Sequence, residues 1–101
     1  MADYTIEPDQ VGVYEILLTA GNVTTVAVKG KGFYITSTVQ VSVHDASMPV
    51  YVQLGNRVTV KDPAASVVTA GTWLNLTTGS GEDATVALIS AADATISVAR
   101  A

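Results

Sequence analysis

Between residues 33 and 43 the chain reads Phe-Tyr-Ile-Thr-Ser-Thr-Val-Gln-Val-Ser-Val, with apolar side chains on the odd positions and only Ser37 out of place. Successive side chains of a strand point to opposite faces, so this alternation gives one dry and one wet face and has no helical counterpart. The same period of two returns at Val50, Val52 and Leu54, at Val58 and Val60, and at Leu74 and Leu76. It continues at Val86 and Leu88 and at Ile96 and Val98. Residues 23–28 supply a further strand, with Val26 and Val28 facing inward. Residues 11–18 change parity, from Val11 and Val13 to Tyr14, Ile16 and Leu18. That switch predicts a bulge or a crossing between sheets.

The residue types agree with the period. Valine, isoleucine and threonine number 16, 5 and 13 of 101 residues, and β-branched side chains fit a pleated surface better than a helix. No ten-residue stretch has helical periodicity, and residues 63–66 offer one turn at most. Turn chemistry separates the apolar runs: Ala20-Gly21-Asn22, Gly30-Lys31-Gly32, Gly55-Asn56, Lys61-Asp62-Pro63, Ala70-Gly71 and Gly79-Ser80-Gly81. Turn signals every eight to twelve residues predict an all-β chain, an antiparallel β-sandwich or flattened barrel of about seven to nine short strands. The length fits one domain, placed here over residues 11–101.

Composition narrows the function. A hydrophobic share of 49% and a mean hydropathy of +0.39 oppose disorder. There is no cysteine and a single histidine, His44, which excludes thiol nucleophiles, thiolate zinc sites and multi-histidine metal centres. The cations Lys29, Lys31, Arg57, Lys61 and Arg100 are scattered in a chain of net charge -4, a poor match to the clustered charge that binds nucleic acid. The start, Met1-Ala2-Asp3-Tyr4-Thr5, lacks a basic region followed by an apolar one. The longest aliphatic run, residues 86–89, is too short to span a bilayer. These readings predict a protein made in a cytoplasm, with no nucleic-acid partner, no membrane partner and no cofactor.

Short constellations point to little chemistry. His44-Asp45 pairs an imidazole with a carboxylate, but neighbours on a strand diverge, so a solvated pair in a turn is expected. Glu82-Asp83, helped by Asp93, offers oxygens to calcium, without the spaced acidic ladder of calcium loops. Gly30-Lys31-Gly32 precedes a strand rather than a helix, so it reads as a hairpin turn and not a phosphate loop. Asn22-Val23-Thr24 and Asn75-Leu76-Thr77 match the glycosylation sequon, read as chance in a threonine-rich chain. Among the aromatics Tyr4, Tyr14, Phe33, Tyr34, Tyr51 and Trp73, three stand out. Tyr34, Tyr51 and Trp73 fall out of phase with the core, which predicts an exposed aromatic face for contacts or sugar stacking. No catalytic constellation emerges, so a non-enzyme is expected.

One longer pattern runs through Pro49-Val50-Tyr51-Val52 to Gly55, Val58-Thr59-Val60 and Val67-Val68-Thr69-Ala70-Gly71-Thr72-Trp73. It continues through Thr85-Val86-Ala87-Leu88-Ile89-Ser90 and closes with Thr95-Ile96-Ser97-Val98-Ala99-Arg100. With the opening Ala2-Asp3-Tyr4-Thr5 and the turn Leu18-Thr19-Ala20-Gly21, this resembles the small all-β virion structural proteins of tailed bacteriophages. The resemblance implies a many-copy capsid or tail component, foremost a head decoration protein that binds the major capsid protein or other virion proteins, with a tail or head-tail connector component as the alternative. It also implies a homo-oligomer located in the virion. Proteins of this kind often carry a flexible amino-terminal arm, expected here over residues 1–10 with Pro8 as the break. The expected contact residues are Tyr4, Ile6 and Pro8 on the arm and Tyr34, Tyr51 and Trp73 on the aromatic face.

Overall fold

The computed structural model describes residues 2–30, 36–80 and 84–100. Nine strands run in chain order as β1 (Tyr4–Ile6), β2 (Gly12–Leu18), β3 (Thr24–Val28), β4 (Thr36–Ala46) and β5 (Val50–Leu54), then β6 (Ser66–Val68), β7 (Trp73–Ser80), β8 (Ala84–Ser90) and β9 (Ala94–Arg100). They form a five-stranded sheet in the order β1-β3-β8-β5-β6 and a four-stranded sheet in the order β2-β9-β4-β7. All pairings are antiparallel except β1 with β3, which is parallel. The chain is therefore an all-β sandwich, as the alternation of side chains predicts.

The core lies between the sheets. Ile6, Val26, Val28, Val50, Val52, Val68, Val86 and Leu88 come from the larger sheet. Ile16, Leu18, Val39, Val41, Val43, Ala94, Ile96 and Val98 come from the smaller one. Aliphatic side chains of this size each contribute about 1.5–3 kcal/mol when fully buried. A second, smaller cluster sits on the outside of the five-stranded sheet, where Val58 packs on Ala87 and Ile89 with Tyr51, Val60 and Ala65 around it.

That second cluster corrects two expectations. Val58 and Val60 do not form a strand: they belong to the 55–65 connection, which lies over β8 and β5. Their alternation records burial of a loop, whose path is fixed by Asp62 accepting from the Ala64 N–H at 2.9 Å and the Thr59 N–H at 3.4 Å. Tyr51 is consequently half-buried beneath this loop and not part of an open aromatic face.

The parity switch in β2 is a bulge. Pairing with β9 shifts register between Val13 and Ile16, and Glu15 takes a left-handed φ of 59°. Tyr14, expected inward with Ile16 and Leu18, is exposed on the bulge, and Val11 is exposed before it. Just ahead, Gly12 passes so close to β9 that a Cβ there would collide with the Val98 carbonyl oxygen and sit 2.6 Å from the Ala99 Cα.

Residues 2–10 also differ from expectation. They are not a free arm, because Tyr4–Ile6 pairs with Val26–Val28 of the same chain and Ile6 is fully buried. Asp3 closes the near end by accepting from the Thr25 N–H at 2.9 Å. Pro8 lies in the turn where the Gln10 N–H donates to the Glu7 carbonyl at 3.0 Å.

Candidate interaction surface on the four-stranded sheet

Among the described residues, no loop cluster packs on the outer face of the smaller sheet. Because Leu74 and Leu76 of β7 pack on the core, Trp73, Asn75 and Thr77 point outward from the same strand. Across the sheet the register places Trp73 beside Ser42 and Asn75 beside Gln40, then Ser42 beside Ser97 and Gln40 beside Ala99. The row through Asn75 ends at Gly12 on β2. Ser42, Ser97 and Ala99 thus floor part of the middle of the face, beside the longer Gln40. Trp73 stands 65% exposed on one edge strand and Leu17 70% exposed on the other. The two lie at opposite edges of the face, with β4 and β9 between them, and each offers a large apolar side chain to a partner laid across the sheet.

His44 joins this face. The pair His44-Asp45, expected in a turn, lies inside β4, where a register shift between Val43 and Asp45 marks a second bulge. The His44 Nε2 is 2.7 Å from the Ser97 Oγ, and Ser97 is buried although it is polar. An imidazole on a serine hydroxyl is the first contact of a nucleophile and its base. Here it joins neighbouring strands, and Ser97 is paired with Ser42 in the ladder. The contact is a polar cross-strand link between the adjacent strands β4 and β9. Sequence reading passed over Ser97 because its partner is 53 residues away.

The end of the same sheet holds a shallow depression of about 470 Å³ lined by Leu17, Asp45, Ser47, Asp93 and Thr95, among others. Asp93 is committed to structure there, accepting from the Ala20 N–H at 2.9 Å. Among the described residues, no three His, Cys, Asp or Glu side chains form a metal-holding group. Glu82 and Asp83, as well as Lys31, Gly32, Phe33 and Tyr34, lie outside the described residues.

Of the six predicted contact residues, Tyr34 lies outside the described residues and the other five separate. Trp73 is on the open face of the smaller sheet, and Tyr51 is on the outer side of the other sheet under the 55–65 loop. Ile6 and Tyr4 serve the chain's own core. Pro8 is exposed in its turn. No family model, curated protein or solved structure matches this chain.

Proposed function

We propose that this chain is a structural protein of a tailed-bacteriophage virion, of the head decoration kind, which binds the capsid lattice through the outer face of its four-stranded sheet. The virion class rests on the resemblance in the sequence. The mode of contact rests on one observation, the exposure of Trp73 and Leu17 at the two edges of a single sheet face. A many-copy binder gains stability by mass action when such a face is covered. The arm plays no part in this reading, because β1 is engaged in its own sheet. Purified virions of the parent phage test the proposal: the chain should appear in their protein profile in many copies, and Trp73→Ala should lower its occupancy. Absence from the particles overturns it.

A second reading has its own support. Trp73 is flanked by Asn75, Gln40 and Ser42, and an aromatic ring beside amide and hydroxyl groups suits the stacking and hydrogen bonding of a sugar ring. Saturable glycan binding that disappears in Trp73→Ala, with an unchanged circular dichroism spectrum, would favour that carbohydrate-binding module.

A further inference from the structure

The strands of the described residues leave four sheet edges, and three of them are protected. β1 and β6 are three residues long, and β2 is bent by its bulge at Glu15. Short edges and bulges are the usual devices that stop a sheet from pairing with another chain. β7 is different. It is eight residues long, contains no proline and no charged residue, and keeps regular register with β4 from Trp73 to Thr77, its own register shift falling beyond that stretch, between Thr77 and Ser80. No strand among the described residues lies beyond it.

The hydrogen-bond pattern says which groups are open. The Val43 N–H donates to the Thr72 carbonyl at 3.1 Å, and the Val43 carbonyl accepts from Gly71 at 2.9 Å. Odd residues of β4 therefore turn their backbone groups toward β7. By alternation Leu74 and Leu76 face β4, while Trp73, Asn75 and Thr77 turn their N–H and C=O groups to the free edge. Three residues spaced by two are self-complementary about their centre.

We propose that two copies of this chain pair antiparallel through β7, with the two-fold axis at Asn75. In that register Asn75 exchanges backbone bonds with Asn75 of the second copy, and Trp73 does so with Thr77 at each end. All three open residues are satisfied at once, whereas a slip of two residues leaves one on each copy unpaired. Leu74 then lies opposite Leu76 of the other copy on the core side. Both leucines are only half-buried in the single chain, and such non-bonded pairs bring side chains closest.

The self-complementary register about Asn75 favours a second copy as the occupant, and the local charge permits it. The chain carries a net charge of -4, which opposes self-association in general. The stretches Thr36–Val43 and Trp73–Ser80, which form this side of the sheet, contain no charged residue. Two acidic molecules can therefore approach here. The bulged opposite edge does not continue the sheet, so the contact closes as a dimer and not as a fibre. The inference is independent of the virion assignment: the dimer stands or falls in purified protein, whatever particle contains it.

Sedimentation and amide exchange test it. Wild-type protein at about 100 μM should sediment as a dimer if the affinity is micromolar or better. On dilution, the amides of residues 73, 75 and 77 should exchange rapidly while 74 and 76 stay protected. At high concentration all five should be protected. Asn75→Pro removes only an outward N–H and should give a folded monomer. Asn75→Lys and Asn75→Asp should each be monomeric through like charges at the axis, and an equimolar mixture should form a heterodimer visible by native mass spectrometry. A wild-type monomer up to about 1 mM, dimers that persist in the single-charge variants, or a mixture that stays monomeric each overturns the proposal.

Discussion

Arg100 gathers the amino-terminal segment onto the last strand. Its Nε donates to the Gln10 carbonyl at 3.0 Å, and its Nη2 donates to the Glu7 carbonyl at 2.9 Å and the Lys29 carbonyl at 2.8 Å. A planar guanidinium can reach carbonyls of the 7–10 turn and of Lys29 at once, which an ammonium cannot do with the same geometry. Hydrogen bonds to a charged group contribute about 1.5–3 kcal/mol. Arg100→Met should therefore lower unfolding stability by about 2–3 kcal/mol in urea titration, and Arg100→Lys should recover only part of the loss. Equal stability of the methionine variant and wild type would show that the carbonyls are served as well by water. Ser90 plays a smaller part of the same kind: its buried hydroxyl donates to the Pro49 carbonyl at 3.1 Å and ties the β4–β5 turn to the end of β8. The conspicuous polar residues of the sequence, His44, Arg100 and Ser90, thus join distant segments of backbone.

At the scale of the element, β1 and the 55–65 loop carry the main corrections. β1 is short, but Ile6 is fully buried between the sheets, and truncating such a side chain costs about 2–5 kcal/mol. Ile6→Ala should lower stability by that order, measured by chemical denaturation, whereas a free arm would tolerate it without change. The loop over β8 is held by fewer groups. Val58 is buried against Ala87 and Ile89, outside the main core. Val58→Asp should open residues 55–65 to limited proteolysis well before the rest of the chain, leaving the strand signal in circular dichroism intact. Simultaneous loss of the whole fold would place Val58 in the main cooperative unit instead.

Across the whole molecule, the pairings that close the sandwich join segments far apart in sequence. β2 pairs with β9, β4 with both β7 and β9, and β3 and β5 with β8. Closing such long loops precedes most of the favourable contacts, so refolding from urea should take milliseconds to seconds in stopped-flow fluorescence. A microsecond phase accounting for the full amplitude would contradict this. The Cα radius of gyration of 12.5 Å is near the roughly 13 Å of a packed 100-residue domain. So small a sandwich has a high ratio of surface to core, and covering an exposed face or an open edge stabilises it proportionately more than it would a larger protein.

The sequence by itself determined the all-β class, most inward residues of the long strands and an irregularity in β2, which the structure resolves as a bulge. These follow from a two-residue period that any half-buried strand imposes on its own neighbours, as in Val39, Val41 and Val43. Tertiary structure alone decided that Tyr4–Ile6 is an edge strand and not an arm, that Val58 and Val60 cover a sheet and are not in one, and that His44 meets Ser97. In each case the deciding partner is remote along the chain: Val26–Val28 for β1, Ala87 and Ile89 for Val58, and β9 for His44. Local alternation tells a side chain to be buried but does not name what buries it, and so Trp73 and Tyr51, alike in phase, end on different sheets with different exposure.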